Sequence, residues 1–476
     1  MPIKRMVAPQ IDFSGLRREL GLPDEFPEAV LAEAGVAARD TPLPEVDRTD
    51  VEFVTIDPAT SRDLDQAMHL SRRAGGGFRV RYAIADVASY VRPGGPIEAE
   101  SWVRGQTIYL PDGRVPLHPP VLSEDAVSLL PGGDRAAVVW TIDLDAAGET
   151  VAVEVERARV RSRAKLDYAG VQRQIDAGAA PESLALLPEI GALLAGRAAD
   201  RGAVNLPLPS QEVERDAGGW RLVLRAPLPI EEHNAQISLL TGMAAAKIML
   251  DGGIGLLRTM PAPRPEAVAK LRAAAEPLGI RWPDGATVGA VVGTVDPGDP
   301  RGAAFLGQAA ELLRGAGYTA FGVPGVEDPP ADVGHGGVGA PYSHVTAPLR
   351  RLADRYATEI CLSLYAGSPV PEWTREVLPR LPKAMSATDR VASAADRGAI
   401  DLAEAVLLQG RVGEVFEAAV LDRDEPSAKR QPGGMIALDE PAVRAKCLGD
   451  LPLGQRIGVR LTAADPASRT VRFERA

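Results

Sequence analysis

Thr55-Ile-Asp57-Pro-Ala-Thr-Ser-Arg-Asp63-Leu-Asp65-Gln66-Ala-Met68 follows directly on the apolar run Val51 to Ile56 and places three carboxylates within nine residues. The apolar run reads as a strand. Asp57 precedes Pro58, which biases it toward extended or turn backbone. Asp63 and Asp65 are two apart, so an extended segment would turn both to one face. Acids converging this closely raise one another's pKa unless a cation neutralises them. Oxygen ligands with no neighbouring Cys or His suit magnesium or manganese better than zinc. Such a site serves chemistry on a phosphate. A solvated turn would use the same residue types, since Asp-Pro is a common turn opener. The rest of the chain has to decide between the two.

Outward from this stretch, Val51 to about Leu144 is strand-rich. Phe78 to Ala88 follows a Gly75-Gly-Gly turn and is expected to pair with Ala67 to Arg72; Val138 to Leu144 and Val151 to Ala158 form a second hairpin signal, and a third surrounds Gly218-Gly-Trp220. Ahead of it lie two short amphipathic stretches, Asp12 to Leu20 and Pro27 to Ala34. Helical patterns cover residues 165–202, then Asn234 to Leu250, Pro265 to Leu278, Ala303 to Gly315, Arg351 to Ala366 and Ala387 to Leu408, with a Pro/Gly-rich loop at Pro324 to Gly339. After Gln409 alternation returns in short strands, which suggests a small OB-like barrel. The expectation is an α+β chain: a helical region at 1–45, a β-rich domain flanked by helices at 46–405, and an all-β barrel at 410–476.

At 476 residues the chain can hold two or three domains, and its composition is that of a soluble globular protein. No apolar stretch approaches a membrane span, and the N-terminus lacks a signal-peptide core. Two distant cysteines, Cys361 and Cys447, fit a reducing cytoplasm. The five histidines form no zinc-like spacing. A net charge of -11 excludes a broad basic surface for duplex nucleic acid, but not a local basic channel. Of 53 basic residues 46 are arginine, a fork suited to phosphate or a trace of base composition.

Two further constellations carry chemistry. In Pro341-Tyr342-Ser-His344-Val-Thr346-Ala-Pro348-Leu-Arg350-Arg351-Leu-Ala-Asp354, the Tyr, His and Thr alternate on one face, and Pro348 is expected to open a helix with both arginines in its first turn. Hydroxyls, an imidazole and a helix N-terminus all donate to phosphate oxygens, and Arg350 or Arg351 could clamp the scissile one. In Arg104-Gly-Gln-Thr-Ile-Tyr109-Leu-Pro, a tyrosine ends an apolar run beside a Pro-rich loop, where it would either stack a base or join the core.

Taken in order, Thr55-Ile-Asp-Pro-x-x-x-Arg-Asp-Leu-Asp, Ile84-Ala-Asp-Val-Ala-Ser-Tyr-Val, Arg104-Gly-x-x-x-Tyr-Leu-Pro, Leu122-Ser-x-x-x-x-Ser-Leu and Tyr342-x-His-x-Thr-x-Pro-Leu-Arg-Arg-x-x-Asp resemble the RNB domain of the ribonuclease II and ribonuclease R family. The resemblance spans about 46–405, and the tail is similar to the S1-like OB-fold that ends those enzymes. It implies a processive, hydrolytic 3′-to-5′ exoribonuclease acting on single-stranded RNA with a free 3′ end and releasing nucleoside 5′-monophosphates. It implies magnesium, with manganese as a substitute, held by Asp57, Asp63 and Asp65, and Arg350 as the catalytic arginine. Tyr109 then clamps the terminal nucleotide, Tyr342, His344 and Thr346 line the RNA path beside Arg351, and Asp396 stands in for a glutamate of the last helix.

Some positions depart from the family pattern. Gln66 stands where a fourth aspartate is customary, a weak ligand at best. Gln236 falls in a helix segment where an acid is customary, and Ala83 replaces a frequent His. Tandem cold-shock domains are expected to be missing ahead of residue 46, leaving fewer upstream contacts to RNA. The expected protein is a cytoplasmic monomer with no membrane and no obligate partner. The competing readings are an RNA-binding protein of the same fold with little catalysis, and a metal-dependent single-strand DNA exonuclease.

Overall fold

The run Phe78–Ala85 is apolar at neighbouring as well as alternate positions because it is buried on both faces. In the computed structural model, which describes residues 6–206, 209–326, 328–424 and 431–476, it pairs antiparallel with Gln66–Arg72 on one side and Asp134–Leu144 on the other. Val80, Tyr82 and Ile84 enter one core with Val138, Trp140 and Ile142, while Ala83 and Ala85 enter a second with Ala137, Val139 and Val160. Gly77 sits at φ +79 in the turn, where a Cβ would come within 2.2 Å of the Leu144 carbonyl oxygen, so the tight return needs glycine.

Asp134–Leu144 turns into Thr150–Leu166, whose far end runs parallel to Phe53–Ile56, and that short strand pairs back onto Gln66–Arg72. The result is a closed five-stranded barrel. Closure leaves no unpaired edge, and it sets the acidic stretch 57–65 as the connection between two adjacent staves.

The expected hairpins all form, the third as Ser210–Asp216 with Gly219–Arg225. Two helices run longer than their patterns: Pro229–Gly252 starts five residues early, with Glu231 accepting from the Leu228 amide as its N-terminal cap, and the last begins at Leu381. The C-terminal strands Val415–Arg423, Gly433–Ala437, Arg444–Leu448, Thr470–Arg475 and Arg456–Asp465 close a second barrel in that order, the third and fourth of them parallel, which is OB-fold connectivity. Residues 1–5 of the expected N-terminal region, 327 of the Pro/Gly-rich loop and 425–430 of the barrel lie outside the described residues.

Helix Leu381–Leu408 joins the parts. Its Ala395, Ala399 and Ala403 share one core with Phe13 and Leu16, with Trp220 of the third hairpin, and with Val420, Val459 and Phe473 of the second barrel. Glu404 fixes the junction by accepting at 2.9 Å from both Gln211 Nε2 and the Arg444 amide. The N-terminal segment is held as a strand-like rider: Ala8 and Trp220 exchange backbone hydrogen bonds of 2.8 and 2.7 Å, and Phe13 meets the Trp220 ring edge-on at 5.5 Å. Phe13 is 1% exposed. Phe13→Ala is therefore expected to cost roughly 3 kcal/mol and to make the first twenty residues protease-sensitive while the first barrel stays intact, as limited proteolysis with urea unfolding would record.

Candidate active site

The acidic stretch is a coil stitched to its surroundings. The Leu64 amide donates to Ser128 Oγ at 2.9 Å, Ser128 Oγ donates to the Arg62 carbonyl at 2.6 Å, and the Asp65 carbonyl accepts from the Ala85 amide at 2.9 Å. Residues 61–65 form no strand pairing, yet Asp63 and Asp65 act on one another and both act on Tyr109. Asp65 is 3% exposed, and both its oxygens are engaged: Oδ1 accepts from the Leu349 amide at 2.7 Å and Oδ2 from Arg350 Nε at 3.1 Å. Asp63 accepts from Tyr109 Oη at 3.1 Å and from Arg114 Nη1 at 2.5 Å, and Arg114 also holds Glu124 at 2.7 Å. Burial pushes the carboxyls of Asp57 and Asp65 up to about 7, with the Arg350 guanidinium as the largest opposing influence.

The second motif bends differently from its pattern. The helix opens at Leu352 and not at Pro348, so Arg350 and Arg351 precede it. Backbone groups of this turn are committed elsewhere: the Arg350 carbonyl accepts from the Thr107 amide at 3.0 Å, and Arg351 bridges Gln106. The anion at this turn is supplied by the protein, as Asp65. Arg351 is spent on the fully buried Asp354, at 2.9 and 3.0 Å, and Asp354 also accepts from the Ala347 amide at 2.7 Å. Arg350 keeps 45% of its side chain open, and Tyr109 is 49% exposed.

Tyr342 packs on helix Pro229–Gly252, where a Cβ at Gly242 would come within 2.1 Å of its ring. His344 lies between Tyr342 and Tyr318, edge-on to both at 5.4 and 5.6 Å, with its Nδ1 2.6 Å from Tyr318 Oη. Burial, seconded by Arg351 and Arg258, drives its imidazole well below the ordinary histidine range and keeps it neutral. Thr346 is buried and meets Ser238 Oγ through Oγ1 at 2.8 Å. Tyr342, Thr346 and Arg351 therefore build the wall, while Tyr109 and Arg350 offer open surface.

Asp396 is exposed on helix Leu381–Leu408 and takes no part. Another acid of that helix, the half-buried Asp389, pairs at 3.1 Å with Arg258, which stacks over the Tyr318 ring at 4.6 Å. A residue missed in sequence is Arg114. Its signal was available, since Asp112-Gly113 marks a hairpin turn that sets Arg114 opposite Tyr109. Gln236 lines a cavity of about 240 Å³, and an acid does face that space: Glu232, one turn earlier on the same helix.

A divalent cation fits part of this set. Asp57 and Asp65 are buried carboxyls that Arg350 offsets only in part, and Asp63 acts on each of them, so a cation beside these acids would be stabilised. The expected cage of three is not assembled, because Asp63 is neutralised by Arg114, and among the described residues no three Asp, Glu, His or Cys side chains lie close enough to share an ion. Gln66 contributes no oxygen either, its carbonyl being turned to the Tyr82 hydroxyl.

Residues 46–365 match the family described as RNB domain, and residues 414–476 match the RNase II-type exonuclease C-terminal S1 domain. The chain belongs to the RNB family. Ribonuclease R of Aquifex aeolicus is 27% identical over 421 residues, covering 84% of this chain and 58% of that protein. Ribonuclease R of Escherichia coli is 26% identical over 436 residues, covering 84% and 52%. The chain thus spans between half and three-fifths of the length of these relatives. Mycoplasma genitalium RNase R in complex with ribose methylated single-stranded RNA superposes with a TM-score of 0.85 at 20% identity, covering 98% of this chain and 77% of that one. Yeast Ssd1, a pseudonuclease, superposes at 0.69 with 17% identity, covering 89% and 54%. RNB folds thus include a pseudonuclease, and activity has to be argued from the site.

For Asp57 the folded value of about 7 lies above the ordinary 3.8, so the folded RNB domain retains a proton that the unfolded chain has released. The group's contribution is intact below about pH 4 and is lost as pH rises toward 7. Asp57→Asn, a mimic of the neutral form, should match the wild-type melting temperature near pH 4 and exceed it by on the order of 2 °C at pH 8, measured by calorimetry without added metal.

Proposed function

We propose that this RNB protein is a hydrolytic 3′-to-5′ exoribonuclease that shortens single-stranded RNA processively from a free 3′ end and releases nucleoside 5′-monophosphates. The observation that carries the reading is the half-open Arg350, held by the buried Asp65 and close enough to the open Tyr109 to act on its hydroxyl. The arginine fork is free to meet a phosphate and to neutralise charge that grows there during attack. Tyr109, its hydroxyl anchored by Asp63, presents a ring on which the terminal base stacks and is held in register. The neutral His344 and its tyrosines keep the wall firm behind the strand. Magnesium, with manganese as a substitute, would be held by Asp57 and Asp65 and supply Lewis-acid charge at the phosphate. The OB barrel then guides the RNA body. Two unpaired buried cysteines suit a cytoplasmic monomer, and among the described residues no helix is long and apolar enough to cross a membrane.

One observation favours a second reading. Asp63 and Asp65 already have cationic partners in the protein, which would suit an RNA-binding protein that does not cut. The deciding experiment uses 5′-labelled single-stranded RNA and DNA, with magnesium or with chelator. The reading expects loss of RNA from the 3′ end only with magnesium. Asp65→Asn should keep RNA binding and lose at least about a thousandfold in rate. A shifted but intact band would support the binding protein, and equal loss of DNA would remove the RNA specificity.

A further inference from the structure

Gln66 adjoins Asp65 at the start of the second barrel strand, yet it faces a different set of partners. Its carbonyl oxygen accepts from the hydroxyl of Tyr82, a residue 0% exposed, and its amide nitrogen donates at 2.6 Å to the carbonyl of Thr346. A buried tyrosine hydroxyl needs an acceptor, and Gln66 supplies it. Thr346 begins the stretch that ends in Arg350, whose last two residues are gripped by Asp65. Two neighbouring side chains, Asp65 at the end of the coil and Gln66 at the first position of the strand, therefore hold both ends of a single five-residue loop. Only an amide can do the first half of this task, because it carries a donor and an acceptor on one head. A carboxylate at 66 would set its oxygen against the Thr346 carbonyl with no proton to share.

We infer that Gln66 is a positioning residue, a neutral latch between the barrel and the loop Thr346–Arg350 that keeps Arg350 aligned on Asp65, and that it is not a cation ligand. Only the kinetic consequence rests on the exoribonuclease reading. Gln66→Met keeps length and loses both hydrogen bonds; Tyr82→Phe loosens the latch from the far side and covers the case in which the first variant does not fold.

Hydrogen exchange followed by mass spectrometry reads the latch directly. In either variant the amides of residues 346–351 should exchange about tenfold faster, the equivalent of one lost hydrogen bond, with no change in the barrel at 415–475. Unchanged exchange in 346–351 would overturn the inference. Manganese titration followed by electron paramagnetic resonance should give Gln66→Met an affinity within about twofold of wild type, whereas a loss of tenfold or more, of the size expected for a removed metal-site contact, would make Gln66 a ligand and overturn it. On RNA, kcat should fall about tenfold with KM nearly constant, since alignment of Arg350 matters in the transition state; an effect confined to KM counts against the latch. If wild-type protein cuts no RNA under any condition, the exoribonuclease reading fails, and the exchange result still decides the latch.

Discussion

A single buried carboxylate, Asp65, organises the site. Taking an ionised carboxylate out of water costs several kcal/mol unless its oxygens find strong donors. Here the donors are the Leu349 amide and the Arg350 guanidinium, both from a loop nearly three hundred residues away in sequence. That demand shapes the loop. It holds Arg350 with its free side outward, while Arg351 is neutralised by Asp354 beneath. The same burial lifts the carboxyl toward neutrality, so the site is poised to gain from any additional positive charge. A cation and a phosphate clamp are then two uses of one electrostatic imbalance.

Around that contact the scaffold is stiff. The closed barrel fixes the two staves that bracket residues 57–65, and helix Pro229–Gly252 approaches closely enough at Gly242 for Tyr342 to lie flat on it. The hairpin bearing Tyr109 is pinned through Asp63 and Arg114. Helix Leu381–Leu408 transmits this order to the OB barrel through small alanines and a buried Glu404, whose carboxyl burial pushes up to about 7. Rigid elements of this kind hold a site to the tolerances that phosphoryl chemistry requires.

Local spacing made much of this legible. The three aspartates, Tyr109 and Arg350 stand in short motifs whose order alone marks the RNB resemblance, and the hairpins at Gly75 and Gly148 announced themselves through turn glycines. The failures share a cause: each depended on a partner distant in sequence. The pairing of Asp63 with Arg114 joins residues 51 apart, beyond what local spacing shows. The helix opens later than Pro348 because the Arg350 carbonyl and Arg351 pair with the distant segment Gln106–Thr107. Asp396, implied by the resemblance alone, lies exposed, because a motif position does not say which helix face turns inward. Strand Arg444–Leu448 escaped notice because it alternates polar and small residues over only five positions.

The most direct test of this account is a double-mutant cycle between Asp65 and Arg350 on kcat for single-stranded RNA, using Asp65→Asn, Arg350→Lys and the pair together. If the two side chains act as one unit, the double variant is about as slow as the slower single variant, a coupling of roughly 2 kcal/mol or more. If the two losses multiply, Asp65 does not work through Arg350, and the central contact described here is not the one on which activity depends.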